Sequence, residues 1–177
     1  MNRLSDVRLH SWTAGSISAD ESRRRVTSGT SDRTFVDTNV LIYAHDVDAA
    51  RKHEIAKGLL RTLWVERAGM LSTQVLQEFY VNATRKIRKP LTKAEARSIV
   101  DTYAPWCVEG ITTSDLAAAF QIEDQARIGL WDALIVAVAA RAGARRVLSE
   151  DLHDGQSIAG VLIHNPFKEK AQPKPRR

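Results

Sequence analysis

Short apolar runs and longer amphipathic stretches alternate along the chain from about residue 33 to residue 166. A short apolar run between polar residues predicts a strand, and apolar positions three and four residues apart predict a helix. The predicted strands are 34–36, 70–71, 106–108, 146–148 and 161–163, the last at an edge. The predicted helices are 40–44, 49–67, 73–83, 93–102, 113–127 and 132–142. This order favours an α/β fold with a central, mostly parallel sheet of four or five short strands and helices on both faces.

Several helix ends are predicted from residue types that cap helices. Thr92 and Glu95 have the spacing of a capping box, and Ser72 or Thr73 can cap the helix that follows them. Gly143 is expected to end the helix that begins at Asp132, because glycine accepts the left-handed conformation common after a helix.

Charge is distributed unevenly between the predicted domain and its two ends. The net charge is +5, but residues 33–167 are balanced. Residues 1–32 are rich in Ser, Thr and Arg without periodicity, and residues 168–177 form a basic tail. Both ends are expected to be disordered, with one domain between them. The bulk charge therefore argues only weakly for a nucleic-acid ligand, since a basic tail is more often a solvated end.

Composition excludes several classes of protein. The longest apolar run, 133–140, is too short to cross a membrane, and no secretory signal is found. The single Cys107 excludes an internal disulfide framework. The five histidines lack metal-ligand spacing, and the glycine patterns of dinucleotide enzymes and P-loop NTPases are absent. A soluble, cytoplasmic protein is expected.

Four acidic residues follow apolar strands or border buried helices. Asp37 and Asp151 follow the first and fourth predicted strands, Asp132 precedes the apolar segment ALIVAVAA, and Glu78 borders the apolar face of its helix. Singly, each has an ordinary interpretation: a helix cap for Asp37 and Asp132, an Asx turn for Asp151, a solvated or ion-paired side chain for Glu78. The predicted fold sends Asp37, Asp132 and Asp151 to one edge of the sheet and places Glu78 in the helix after a neighbouring strand; this is the edge where parallel sheets bind their ligands.

Carboxylates gathered within a few ångströms repel one another unless a cation neutralises them. A hard divalent cation such as Mg²⁺ takes oxygen ligands, can activate a water and can position a phosphate. The sequence therefore predicts a divalent metal site formed by the four acids.

The segments FVDTNVLIYAHD, LQEFY, WDALIVAVAARAG and LSEDLHDG, in this order and spacing, resemble the PIN domain, and most closely the VapC toxins of toxin–antitoxin pairs. The resemblance covers about residues 33–166. It implies a PIN-like three-layer sandwich and an endoribonuclease that depends on Mg²⁺ or Mn²⁺. The acidic residues of the family correspond here to Asp37, Glu78, Asp132 and Asp151.

The resemblance also implies supporting residues and partners. Asn39 and Ser149 are expected to hold the acids or contact the phosphate, and Asp154 to be an outer or alternative ligand. The implied partners are an RNA substrate, a second copy of the chain in a homodimer, and a small antitoxin protein that blocks the active-site groove.

Basic and aromatic residues near these segments leave further choices open. The cations of Thr84 to Lys89, TRKIRK, either guide a phosphate backbone or solvate a helix end, and Arg141, Arg145 and Arg146 pose the same question. Trp131 could stack on a base, but packing in the core is the favoured interpretation.

Three alternatives compete with a metal-dependent ribonuclease. A phosphohydrolase of the haloacid dehalogenase type, with Asp37 as nucleophile, is disfavoured because Asn39 stands where that family has a second aspartate. A PIN-like module that binds RNA or protein without cutting has no use for four clustered acids. A DNA-directed nuclease with the same metal chemistry stays open. Attack by water predicts products with a 5′-phosphate and a 3′-hydroxyl.

Overall fold

The computed structural model describes residues 32–108 and 110–168. Its helices are α1 (Thr38–His45), α2 (Arg51–Glu66), α3 (Thr73–Arg85), α4 (Lys93–Tyr103), α5 (Thr113–Ala126) and α6 (Leu130–Arg141). Its strands are β1 (Thr34–Val36), β2 (Gly69–Met70), β3 (Arg146–Leu148), β4 (Ser157–Ile158) and β5 (Val161–His164). Apart from residues 32 and 168, the disorder predicted for the two ends concerns residues outside this description. No helix of the described part is long and apolar enough to cross a membrane.

The strands form one sheet in the order β2-β1-β3-β5-β4. All neighbours are parallel except β4, which pairs with β5 in the antiparallel sense. The mostly parallel α/β fold predicted from the sequence is therefore confirmed. Because Val36 pairs with Leu148 and Leu148 with His164, β1, β3 and β5 end at the same edge. The residues that follow these strands meet there.

Two predicted strands are corrected by the structure. Residues 106–108 do not form a strand: Ala104–Trp106 is a 3₁₀ turn, and Cys107 makes only an isolated bridge with Leu71. Pro105 lies in this turn, and its fixed φ and missing N–H favour a turn over an extended ladder. The segment joins the sheet through only two backbone hydrogen bonds, both with Leu71.

The segment predicted as an edge strand at 161–163 is β5, which lies inside the sheet between β3 and β4. The edge strand on this side of the sheet is β4, a strand of two residues that the sequence pattern did not reveal. Ala159 and Gly160 connect β4 to β5, and both have positive φ, 49° and 80°. Two such residues form the tight turn that matches the twist of a hairpin.

Helix α6 explains how a polar residue is brought to the carboxyl edge of the sheet. Every residue from Ala133 to Ala139 is buried, and the helix packs against α5, β3 and β5. It leads back to the start of β3, so it runs opposite to the strands and its N-terminal end lies at the edge where they end. The buried helix predicted from ALIVAVAA is confirmed, but it begins at Leu130 rather than at Asp132.

Candidate functional site

The structure brings the four predicted acids together. Asp37, Glu78, Asp132 and Asp151 all line one cavity of about 260 Å³ at the carboxyl edge of the sheet. They come from four different places in the chain: the end of β1, the middle of α3, the first turn of α6 and the loop after β3. We call this cavity the acidic cleft.

Asp37 lies at the base of the cleft and is 4% exposed. It is the N-cap of α1, so the capping role considered from the sequence exists together with its position in the cleft. Its carboxylate accepts hydrogen bonds from the Thr38 backbone N–H (2.6 Å), the Ser149 hydroxyl (2.6 Å) and Asn39 Nδ2 (3.0 Å). Burial raises the pKa of Asp37 to about 7, against the lowering effect of the Ser149 and Thr38 bonds, and the negative charges of Asp132 and Asp151 raise it further.

Glu78 is half-buried and is held by two donors from different helices. Thr38 Oγ1 of α1 donates to Glu78 Oε2 (2.8 Å), and Gln74 Nε2 of α3 donates to Glu78 Oε1 (2.9 Å). Both carboxylate oxygens are therefore oriented by neutral groups. The alternative of an ion-paired surface glutamate does not fit these contacts.

Asp132 is the third residue of α6, and Gly129 occupies the N-cap position without a side-chain cap. The cap considered from the sequence is therefore not what Asp132 provides, although the first turn of a helix favours a negative charge. Burial raises the pKa of Asp132, and the charges of Asp151 and Glu78 add to this rise. The Asp132 carboxylate is half-buried and lines the cleft, so it can bind a ligand there.

Asn39 and Ser149 connect the exposed Asp151 to the buried Asp37. Asn39 Nδ2 lies 3.0 Å from both Asp37 Oδ2 and Asp151 Oδ2. Ser149 Oγ donates to Asp37 and accepts from the Asp151 backbone N–H (3.2 Å). The two residues predicted to support the acids thus contact both of them.

Asp154 is not brought to the cleft. Its carboxylate accepts from the Asn165 backbone N–H (3.0 Å) and lies 3.5 Å from both His164 and Lys168. The Asn165 bond, together with the charges of Lys168 and His164, lowers the pKa of Asp154. These contacts join the loop after β3 to the residues that end and follow β5. Asp154 does not line the cleft, where the family resemblance implied an outer or alternative ligand.

The acidic cleft gathers negative charge that the described residues do not neutralise. Among the residues that the structure describes, none of the four carboxylates forms an ion pair with a lysine or arginine. Such an arrangement fits a bound divalent cation. Within residues 32–108 and 110–168, however, no three Asp, Glu, His or Cys side chains are arranged to ligate a single ion. The donor set fits Mg²⁺ nevertheless, because this ion is usually held by one or two carboxylates, several waters and phosphate oxygens of the substrate.

Sequence reasoning missed Gln74 and misplaced Trp131. Gln74 is 4% exposed and donates to Glu78 and to the Trp131 carbonyl (3.4 Å), which joins α3 to the start of α6. Its spacing of four residues before Glu78 could have revealed it. Trp131 was predicted to pack in the core, but it is 67% exposed and lines the cleft. It lies two residues before the buried part of α6, which begins at Ala133, so its side chain is outside the core.

The basic residues considered from the sequence divide into two groups. Arg85, Lys86, Arg88 and Lys89 are exposed at the end of α3, beyond Asn82, which lines the cleft. The second group lies at the opposite, amino edge of the sheet: Arg146 begins β3, Arg145 precedes it, and Arg141 lines a separate cavity. Only the first group is placed to contact a ligand that extends from the acidic cleft.

A mostly parallel sheet with four carboxylates gathered beyond the ends of its strands defines an α/β protein with an acidic cleft. The family model described as "PIN domain" matches residues 34–153, and the chain belongs to this family. The resemblance to the PIN domain noted from the sequence is thereby confirmed.

Two solved structures share the fold. One is the Mycobacterium tuberculosis toxin VapC20, described as cleaving the sarcin-ricin loop: it is 21% identical, with a TM-score of 0.50, over 64% of this chain and 86% of the toxin chain. The other is VapBC2 from Rickettsia felis, bound to a DNA fragment from its promoter: it is 16% identical, with a TM-score of 0.50, over 75% of this chain and 97% of the matched chain. At these identities the likeness shows the fold alone. No curated protein matches the chain significantly.

Proposed function

We propose that this protein is a metal-dependent endoribonuclease that hydrolyses RNA phosphodiester bonds at the acidic cleft, as the toxin of a toxin–antitoxin pair. The observation that carries the proposal is the set of four carboxylates around one cavity, with no ion pair to a lysine or arginine among the described residues. A protein that only binds RNA gains nothing from unneutralised acids next to an anionic ligand. A phosphodiesterase gains a site for the cation that its reaction needs.

Asp37 and Asp132 are the proposed direct ligands of Mg²⁺ or Mn²⁺, with Glu78 and Asp151 acting directly or through water. When bound, the ion supplies charge neutralisation for the phosphate and a more acidic water. Ser149, Asn39 and the Thr38 N–H fix the Asp37 carboxylate: Oδ2 accepts two of these hydrogen bonds and Oδ1 accepts one, so Oδ1 keeps a lone pair for the ion. The prediction that water attacks, leaving a 5′-phosphate and a 3′-hydroxyl, belongs to this proposal.

Hydrogen bonds between elements preorganise the four acids for this reaction. Thr38 and Gln74 fix both oxygens of Glu78, and Asn39 sets the separation of Asp37 from Asp151. Preorganised groups are effective in catalysis because they do not have to be reoriented when charge develops on the substrate. We further propose that residues 33–167 form the complete nuclease domain. The protein acts in the cytoplasm as a homodimer, and an antitoxin protein controls its activity. The similarity in fold to VapBC2, a structure named for a VapB–VapC pair, supports an antitoxin partner.

Removal of divalent metal is expected to abolish RNA cleavage by the purified, antitoxin-free protein. EDTA should stop cutting of a mixed RNA substrate, and excess Mg²⁺ or Mn²⁺ should restore it, because the acids otherwise repel the phosphate. End-labelling of the products should find 5′-phosphates and 3′-hydroxyls. Products with 2′,3′-cyclic phosphates would contradict the proposed attack by water.

The same assay distinguishes the alternative functions. A folded protein that binds RNA but cuts no RNA or DNA with either metal supports the binding module considered from the sequence. Cleavage of DNA in preference to RNA supports a DNA nuclease. A phosphorylated aspartate trapped at Asp37 supports the haloacid dehalogenase chemistry.

Replacing Arg85 and Lys86 together with alanine is expected to weaken RNA binding several-fold without changing kcat. Asn82 lies one turn beyond Glu78 on α3 and Lys86 one turn beyond Asn82, so these side chains share a helix face that leads out of the cleft. The slope of log affinity against log salt should decrease by about one for each phosphate that the variant no longer binds.

The matched control removes Lys57 and Arg67, two exposed cations of which neither lines the acidic cleft. Binding is measured in a cleavage-deficient background at several salt concentrations. An equal effect of both double variants on the salt slope would mean that net charge alone, and not the face of α3, attracts the RNA.

A further inference from the structure

Trp131 is the most exposed aromatic residue in the part of the chain that the structure describes. It is 67% exposed, against 52% for Phe120, while Trp106 is 9% exposed and packs with Trp64 and Tyr103 in an aromatic cluster. Large aromatic side chains contribute most when they are covered, so a structural role would have favoured burial. Packing in the core was the role expected from the sequence, but the ring of Trp131 lies outside the core.

The position of Trp131 is fixed although its ring is uncovered. The residue lies in the first turn of α6, directly before Asp132, and the buried run that follows holds this helix against the sheet. Its backbone carbonyl accepts a hydrogen bond from Gln74, which also holds Glu78. The ring is therefore presented at the wall of the acidic cleft from a backbone that is tied to two of the acids.

The chemistry of the cleft favours a nucleobase as the group that covers this ring. The four carboxylates oppose the approach of a phosphate backbone, and a further acidic or polar wall would add nothing to affinity. An aromatic face binds a base by stacking, without adding charge, and tolerates any base because all bases have a π-face. Asn82, which also lines the cleft, adds an amide that can donate and accept hydrogen bonds.

We propose that Trp131 is the base-binding residue of the acidic cleft and that its indole ring stacks on one unpaired base of an RNA bound there. The inference rests on the proposed function, whose site it specifies further. A base inside a duplex is covered on both faces by its neighbours, and only an unstacked base can offer a face to the ring. Trp131 is in this sense a residue that determines specificity for unpaired RNA.

Binding in a cleavage-deficient background tests the proposal. Asp37→Asn protein is titrated with a fluorescently labelled single-stranded RNA, with the same RNA in a duplex, and with single strands that carry one abasic position at successive sites. Adding Trp131→Ala should weaken binding of the single strand by about fivefold to a hundredfold. Trp131→Phe should retain most of the affinity. Phe120→Ala removes an aromatic ring that is 52% exposed on α5 and serves as the matched control, with no change expected.

The abasic strands provide the readout that a merely structural role would not change. One abasic position should weaken binding to the protein with Trp131, and the same position should have little further effect after Trp131→Ala. An unchanged affinity of Trp131→Ala for the single strand would overturn the proposal, and so would equal losses for single strand and duplex. A loss of self-association or of binding to a protein partner, with RNA affinity intact, would also overturn it, because the ring then faces protein.

The outcome is separable from that of the proposed function. If the wild-type protein cuts RNA and Trp131→Ala cuts with unchanged KM and the same preference for single strands, the inference fails and the proposed function stands. If the wild-type protein binds single strands through Trp131 but never cuts, the proposed function fails and the inference stands. Absence of any binding to single-stranded RNA overturns the inference directly.

Discussion

Asp37→Asn is expected to lower the rate of RNA cleavage by about a thousandfold or more at saturating metal. The substitution keeps the size of the side chain and its ability to cap α1, since asparagine caps helices as well as aspartate does. It removes the negative charge that lies deepest in the acidic cleft, between Ser149 and Asn39. The fold should therefore persist while the affinity for the cation and the rate both fall. Single-turnover cleavage of a labelled RNA across a range of Mg²⁺ concentrations measures the two effects separately.

Asp124→Asn is the matched control, because Asp124 is exposed on α5 and does not line the cleft. Its rate should stay within about twofold of the wild type, as expected for a surface change that touches no functional group. Asp154→Asn tests the ligand role implied by the family: the contacts of Asp154 with Asn165, His164 and Lys168 predict a small effect. Cleavage by Asp37→Asn at the wild-type rate would place the reaction elsewhere in the molecule.

The convergence of the acids could be predicted because it follows from topology. Asp37 and Ser149 each come directly after a strand, and parallel strands that are in register end at the same edge. The position of Asp132 follows from a helix that is apolar on every side, since such a helix must lie in the core and run back along the sheet. These features depend on short stretches of sequence and on rules that hold for all α/β folds.

The structural details that sequence reasoning missed depend on contacts between distant parts of the chain. Strand β4 has two residues, so no alternation of apolar and polar positions can identify it. Gln74 is recognised as important only when α3 and α6 are seen side by side, because its two partners come from both. The exposure of Trp131 depends on where α6 leaves the core, and an aromatic residue beside an apolar run gives no local indication of that point.

The acidic cleft also has a cost for stability, which explains why its acids are held by neutral donors. Asp37 is buried with its charge, and Thr38, Asn39 and Ser149 offset part of that penalty by hydrogen bonding. Sites that hold several like charges are less stable than the same fold without them, and a substrate or metal compensates only when it is bound. The metal-free protein should therefore be the least stable form at neutral and alkaline pH.

Asp37→Asn is accordingly expected to melt at a higher temperature than the wild type at pH 8 in EDTA, by about 3 to 8 °C. The pKa of Asp37 is raised from 3.8 to about 7, so the folded protein holds this proton more tightly than the unfolded chain. Its contribution to stability is complete below pH 3.8 and is lost as the pH rises through 7. The advantage of the asparagine variant should therefore be small at pH 5 and largest above pH 7. Thermal unfolding of both proteins from pH 5 to pH 8.5 measures it.

Divalent metal should reverse the difference in melting temperature between the wild type and Asp37→Asn. Mg²⁺ binds the folded wild type and not its unfolded chain, and it should raise the melting temperature of the wild type at pH 8 more than that of Asp37→Asn. Asp124→Asn should follow the wild type at every pH, because its carboxylate lies outside the cleft. Equal melting temperatures of the wild-type and Asp37→Asn proteins from pH 5 to pH 8.5 in EDTA would show that the buried charge of Asp37 does not lower the stability of the fold. The cost of burying this charge beside the other acids would then be too small to require a cation, and the cleft would lose its main physical argument for metal binding.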